Sequence, residues 1–374
     1  MDRGRAVPDR ARRPQFLDPV SHRRRRAHQD ARPAGDDPAT PLHLPAARRA
    51  RLVYAPARPG RQRARPAARH PPAMKPVRDV ALVGLGAIGI LYAGQISARD
   101  PRCLRVVTDA ARLARYRADP PALNGRRLDL NYATPEEFGP PADLVLVAVK
   151  STGLAAAVPV LAPLLGPDTQ ILPLLNGITA QDVLAEAFGW PRVLYGFVYC
   201  ESSMRTGNAV IQGGGEKIVF GEATNDPPAP RVRAVAGCFD RLGIRHHVPA
   251  DMRAAQWKKF ILNVGINQAQ ALLRAPCREL QQNPEAMQLA RTLMDEAAAV
   301  GAALGIAGAA DVPAWAEGVI RAAAPDNRTS MLQDVEAGRA PEIDLFAETV
   351  CRLGRQCGIP TPANELVLQL LQPA

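Results

Sequence analysis

The feature that most restricts this chain is the stretch from Val77 to Ser97, VRDVALVGLGAIGILYAGQIS. It begins with a short apolar run, Val80 to Val83. Glycines follow at the spacing GxGxxG, at Gly84, Gly86 and Gly89. Behind them an apolar stripe, Ile88, Leu91, Tyr92 and Ile96, recurs with a helical period. A parallel strand buried on both faces reads as an unbroken apolar run, and a helix as a period of 3.6. The glycines therefore stand at a strand-to-helix turn. In that setting Gly84 permits the tight turn, Gly86 lets backbone approach a pyrophosphate, and Gly89 lets the helix lie close to the sheet. Leu85, Ala87 and Ile88 complete a turn whose free N–H groups and positive dipole end suit phosphate. The alternative is a glycine-rich turn that holds no ligand.

The charge of the chain is distributed unevenly. Its formal net charge is +11, but residues 1–73 hold 18 Arg, no Lys and 6 Asp, so the rest is close to neutral. The same leader carries 12 Pro and four of the six His, and it has no apolar periodicity. Such a segment buries too little surface to offset the entropy of ordering, so disorder is expected there. A nucleic-acid tail would suit the Arg23 to Arg26 run, but it would bring Lys and interleaved aromatics. A transit peptide would be poorer in acid and in proline. The favoured reading is a start assigned too early, because Met74 opens MKPVRDVALVGLG, a natural beginning for the first strand.

Six cysteines form no CxxC pair and no spacing that suggests zinc, and His246 and His247 read as a satisfied pair rather than ligands. No metal site is expected. No apolar run approaches the length of a membrane span. With no secretory segment either, a reduced, cytoplasmic protein is expected, with no nucleic-acid or membrane partner.

From Val77 onward strand and helix alternate. Strands are expected at Leu104 to Val107, Leu128 to Tyr132, Asp143 to Val149, Gln170 to Leu175 and Val193 to Tyr199. Helices fall between them, around Ala110 to Tyr116, Leu154 to Leu161 and Val183 to Phe188. This implies an α/β fold with a parallel sheet covered on both faces. AVIQGGGEKIVFG, from Ala209 to Gly221, reads as a hairpin with a glycine turn. A strand from Ile244 to Val248 closes that half. Beyond Pro249 strand signals cease, and helices are expected over 251–273, 284–304, 311–323, 329–337 and 342–357. A last helix has Thr361 as N-cap and Pro362 at its first position. The boundaries are thus a leader over 1–73, a dinucleotide-binding domain over 74–249, and an all-helical substrate and dimerisation domain over 250–374.

Ligands of open parallel sheets bind at the C-terminal strand ends, where Lys150 and Asn176 fall. On the greasy helix Gln256 to Gln270, Lys259, Asn263 and Asn267 recur every four residues and share one slowly drifting stripe. Buried amides and an ammonium are costly unless paired. The stripe faces either a polar cavity or a structural network of neighbouring helices. In SMLQDVEAGRAPEID, from Ser330 to Asp344, Glu342 follows a proline at a helix start and reads locally as a capping carboxylate.

Taken together, these motifs resemble the ketopantoate reductase (2-dehydropantoate 2-reductase) family. The likeness runs from Val77 to the end and rests on GLGAIG, the strand ending in Lys150, the LLNG containing Asn176, WKKFILNVGIN from Trp257 to Asn267, and SMLQDVEAGRAPEID. It implies a Rossmann-type N-terminal domain with an all-α C-terminal domain of the 6-phosphogluconate dehydrogenase C-terminal-like kind. It implies NADPH-dependent reduction of ketopantoate to pantoate, a step toward pantothenate and coenzyme A. Lys259 and Glu342 would be catalytic. Asn263, Asn267, Ser330 and Asn176 would bind the 2-oxo acid, and Lys150 and Asn176 would border the cofactor. A homodimer is expected. Where the family has a basic residue for the 2′-phosphate, this chain has Asp109, an acid roughly 25 residues beyond Gly84 of the kind that holds ribose hydroxyls in NAD-binding units. Arg105, Arg112 and Arg115 stand nearby for a phosphate, so NADP(H) and NAD(H) both stay open. The rival readings are a reductase of another 2-oxo acid or ketone, and a dinucleotide-binding sensor without turnover.

Overall fold

A computed structural model describes residues 74–200 and 203–372. The expectation for residues 1–73 lies outside the described residues. The main sheet has five parallel strands in the order β5-β2-β1-β6-β7. They are β1 (Val80–Val83), β2 (Leu104–Val107), β5 (Tyr132–Ala133), β6 (Ala142–Val147) and β7 (Leu165–Pro173). Side chains alternate between the two faces. Val80, Leu82, Leu104, Val106, Leu144 and Leu146 enter one core, and Ala81, Val83, Val107, Val145 and Val147 enter the other. Both faces are covered, which is why β1 and the Leu144 to Val147 part of β6 read as continuous apolar runs. Helices α1 (Ala87–Arg99), α2 (Ala110–Ala118) and α5 (Pro230–Leu242) serve the first core; α3 (Leu154–Leu161) and α4 (Ala180–Phe188) serve the second.

Two smaller sheets flank this layer. One runs β4-β3-β10-β9, from β3 (Ala122–Leu123), β4 (Arg126–Arg127), β9 (Ser203–Thr206) and β10 (Ala209–Gln212). The other runs β12-β11-β8, from β8 (Tyr195–Tyr199), β11 (Lys217–Gly221) and β12 (His246–His247). This corrects the expected hairpin over Ala209 to Gly221. β10 pairs with β9, while β11 pairs with β8 in a different sheet. Local sequence shows two apolar runs and glycines, but not which edge each run finds. The expected strand Leu128 to Tyr132 is also corrected. Leu128 and Leu130 are buried in the first core, and pairing is confined to β4 and β5 on either side.

Beyond residue 251 the chain is helical: α6 (Met252–Leu273), α7 (Cys277–Gln282), α8 (Pro284–Ala303), α9 (Val312–Ala322), α10 (Ser330–Glu336), α11 (Thr349–Cys357) and α12 (Pro362–Leu371). Trp257, Phe260, Ile261 and Val264 of α6 are its central apolar contribution. α6 and α8 approach closely, because a Cβ on Gly265 would lie 2.4 Å from Met294 Cγ. The start of α12 departs from expectation. Pro362 is at its first position, but Thr361 makes no side-chain cap. Glu296 on α8 instead accepts from the N–H groups of Ala363 and Asn364, at 2.8 and 3.0 Å. A tertiary neighbour supplies what local sequence assigned to the preceding residue. The expected helix 342–357 likewise begins as a π turn, Asp344–Glu348, before α11. Among the described residues no helix is long and apolar enough to cross a membrane, and no cluster of three or more His, Cys, Asp or Glu is placed to hold a metal.

Candidate active site

The glycine turn follows β1 as the spacing predicts. Gly84 has φ +100°, and a Cβ there would lie 2.7 Å from the Ala148 carbonyl group. On Gly89 it would lie 2.0 Å from the Gly84 oxygen. Both positions are closed to any side chain by the protein itself. Gly86 differs: a Cβ there would meet only Ala148 O at 3.7 Å and Arg205 Nη1 at 4.0 Å. No protein atom demands glycine at 86, and a bare backbone surface for a ligand is the use that fits. Gly86 also precedes α1, with its carbonyl accepting from Ile90 N at 2.9 Å. That leaves the N–H groups of Ala87, Ile88 and Gly89 in the first turn without intrahelical acceptors. The residues present fit a dinucleotide pyrophosphate.

At the end of β2, Asp109 is the N-cap of α2. Its Oδ1 accepts from Arg112 N at 2.7 Å, and its Oδ2 lies 3.3 Å from Arg112 Nη1. Arg105 is not available for a phosphate. Its guanidinium stacks 3.7 Å from the Phe138 ring centre and donates to the Phe138 and Pro140 carbonyls at 2.6 and 3.0 Å. Arg115 is exposed, over the Tyr116 ring.

Lys259 lies on α6 but reaches the sheet half of the molecule. Nζ donates to Asn176 Oδ1 at 2.7 Å and to the Val198 carbonyl at 2.6 Å. The Phe197 and Tyr199 rings stand 5.4 and 5.9 Å away. Burial lowers the Lys259 ammonium to about 8, since a charge loses hydration among these groups. The Asn176 turn is itself fixed to α6. Gln256 donates to the Gly177 carbonyl at 3.4 Å, and its amide meets that of Gln181 at 3.1 Å. Asn263 and Asn267 continue the Lys259 face, rotated by about 40° and 80°. Neither amide has a hydrogen-bond partner among the described residues, although Asn267 is only 5% exposed. The two amides make no bond to a neighbouring helix among the described residues, as a stripe lining a polar cavity would show. Ser330 is exposed at the first position of α10, whose start is tied to α6 by Thr329 N donating to Gln270 Oε1 at 2.9 Å.

Glu342 lies 9% exposed, and its side chain does not cap its own helix. Its Oε1 accepts from Ser151 N and Oγ, both at 3.3 Å, just past β6. Burial raises its carboxyl above the usual range, with the Lys150 charge opposing that rise. Lys150 in turn donates to Asp334 Oδ2 at 2.8 Å, and Asp334 Oδ1 accepts from Arg339 at 2.8 Å. The structure therefore brings Asn176 to Lys259, and Glu342 to the Lys150–Ser151 corner. Asp334 and Ser151 were not singled out by sequence. Asp334 had a signal, its position four residues after Ser330 on the same helix. The Val198 carbonyl had none, because backbone groups carry no residue signature.

Both halves of the chain are similar to known proteins. Residues 80–225 match the family described as ketopantoate reductase PanE/ApbA, and residues 251–374 match its C-terminal part. The 2-dehydropantoate 2-reductase of Mesorhizobium japonicum is 28% identical over 325 residues, spanning 78% of this chain and 96% of that relative. That of Caulobacter vibrioides is 29% identical over 302 residues, spanning 79% and 99%. Among solved structures, the 2-dehydropantoate 2-reductase from Geobacter metallireducens aligns with a TM-score of 0.68 at 26% identity, covering 78% of this chain and 98% of that one. D-mandelate dehydrogenase, solved with NADH and anilino(oxo)acetate, shares the fold with a TM-score of 0.71 at 21% identity, covering 78% and 97%. The chain, with both its sheet and helical halves matched, belongs to the ketopantoate reductase family.

Proposed function

We propose that this protein reduces ketopantoate to pantoate, in the synthesis of pantothenate and coenzyme A, with the division at 249/250 separating a cofactor half from a substrate half. The observation that carries this reading is the Lys259 ammonium, held at hydrogen-bond distance by Asn176 and Val198 on a helix face whose next two polar groups are unpartnered. A nicotinamide dinucleotide, when bound, supplies the hydride that reaches the C2 carbonyl. Negative charge then develops on the carbonyl oxygen. Lys259 is the group proposed to stabilise it and to deliver the proton, and its lowered pKa suits that transfer near neutral pH. Asn263, Asn267 and Ser330 offer neutral donors to the carboxylate and hydroxyl of the substrate. Glu342 is proposed to accept from the substrate hydroxyl, and Asn176 to orient Lys259. Lys150 and Asn176 border the nicotinamide end of the cleft.

NADPH is the proposed reductant. Both oxygens of Asp109 face Arg112, so the carboxylate is engaged, which supports the reading that Arg112 is the group that would meet a 2′-phosphate. A cytoplasmic location goes with this reading, since all six cysteines are free thiols. A homodimer is proposed and is read by light scattering. The test of function is steady-state turnover of a panel of 2-oxo acids, ketopantoate included, with NADPH and with NADH. Ketopantoate is expected to give the highest kcat/KM with NADPH. Turnover of another 2-oxo acid alone would reassign the substrate. Binding of cofactor without turnover of any would turn the reading to a sensor.

A further inference from the structure

The phosphate cradle at Gly84 to Gly89 is made of backbone, and backbone leaves charge unmet. A helix start offers about half a positive charge, whereas a pyrophosphate carries about two negative ones. The named cations around the cleft are mostly committed. Lys150 is bound to Asp334, Lys259 to Asn176 and Val198, and Arg105 to two carbonyls. Arg205 is the exception. It lies on β9, yet its Nη1 comes within 4.0 Å of where a Cβ on Gly86 would be. Its Nε donates to the Gly207 carbonyl at 2.9 Å, which steadies the guanidinium beside its own turn. Its terminal nitrogens have no other partner among the described residues.

The placement follows from the small flanking sheet. β9 pairs antiparallel with β10, and β10 pairs with β3. β3 rests on α1 at Gly94, where a Cβ would lie 2.7 Å from Leu123 Cδ2. The sheet is thereby held along α1, and its outer strand reaches back toward the glycine turn. We propose that Arg205 grips the pyrophosphate of the bound dinucleotide, as the cationic part of a cradle whose backbone part is the glycine turn. The proposal rests on the reading that this turn holds a dinucleotide. A guanidinium fork matches two phosphate oxygens, and the pyrophosphate is common to NADPH, NADH and ADP-ribose.

The test is titration calorimetry of the full chain with NADPH, NADH and ADP-ribose, beside Arg205→Ala and Arg205→Lys, with the melting temperature of each ligand-free protein. Arg205→Ala is expected to raise all three Kd values alike, by about tenfold, with Arg205→Lys recovering part of the loss and the ligand-free melting temperature unchanged. Unaltered affinities would overturn the proposal and leave the dinucleotide reading intact. A loss confined to NADPH would overturn it in favour of a 2′-phosphate contact. A loss that tracks a lowered melting temperature and is not eased by lysine would overturn it in favour of a structural role. If the unmutated chain binds none of the three ligands, the reading of the turn falls first.

Discussion

Replacing Lys259 by methionine keeps the bulk of the side chain and removes the ammonium. The pKa falls from 10.5 to about 8 on burial, which corresponds to on the order of 3 kcal/mol of unfavourable charge burial at pH 7. Against that, the substitution leaves Asn176 Oδ1 and the Val198 carbonyl without their donor, at about 1–3 kcal/mol for each buried group. The two effects oppose each other and leave a net change of about −1 to +3 kcal/mol, so Lys259→Met is expected to fold, with a modest shift in melting temperature. Turnover behaves differently. Loss of a general acid lowers kcat by about 10²–10⁴, while the Kd of NADPH stays within about threefold, because the glycine turn is untouched. The sign of the pH dependence follows from the same shift. The proton donor must be charged, so kcat/KM is expected to fall as pH rises through about 8. Stability moves the other way. The folded pKa lies below the unfolded one, so the penalty is present below about 8 and is relieved as pH rises toward 10.5. Chemical denaturation at pH 7 and pH 10 should show the unmutated protein gaining relative to Lys259→Met. A methionine variant with near-normal kcat, or a kcat/KM flat from pH 6 to 10, would refute the reasoning.

The glycine turn gives a paired prediction. Gly89→Ala drives a methyl group to 2.0 Å from the Gly84 oxygen and is expected to cost several kcal/mol in denaturant titrations. Gly86→Ala meets nothing closer than 3.7 Å and should fold normally, yet bind NADPH at least tenfold more weakly by fluorescence titration; equal affinity would remove phosphate from that spot. Glu342→Gln keeps the shape at the Ser151 corner, so KM for ketopantoate is expected to rise by about tenfold or more while NADPH affinity holds. At the adenosine end, Arg112→Ala should weaken NADPH more than NADH and Asp109→Ala the reverse, both read by Kd; the opposite ranking would assign the two residues wrongly.

The sequence by itself determined the sheet and its turn. Strands buried on both faces need apolar residues at every position, and Val80 to Val83 and Leu144 to Ala148 show that requirement directly. The glycines at 84 and 89 are demanded by backbone only a few residues or one strand away, so their spacing betrays them. The stripe Lys259, Asn263 and Asn267 is equally local, being a property of one helix. Only the tertiary structure decided what each polar group meets. Glu342 reads as a cap along the chain but crosses to Ser151, and Thr361 yields its capping role to Glu296 on another helix. β10 and β11, neighbours in sequence, enter different sheets because edge pairing depends on which strand arrives beside them. Arg205 is one arginine of many in the sequence, and its distance from Gly86 exists only once β9, β10 and β3 are stacked along α1. Periodicity and spacing record the forces that act within an element, whereas the partner of a charge or an amide is set by long-range packing that no short stretch encodes.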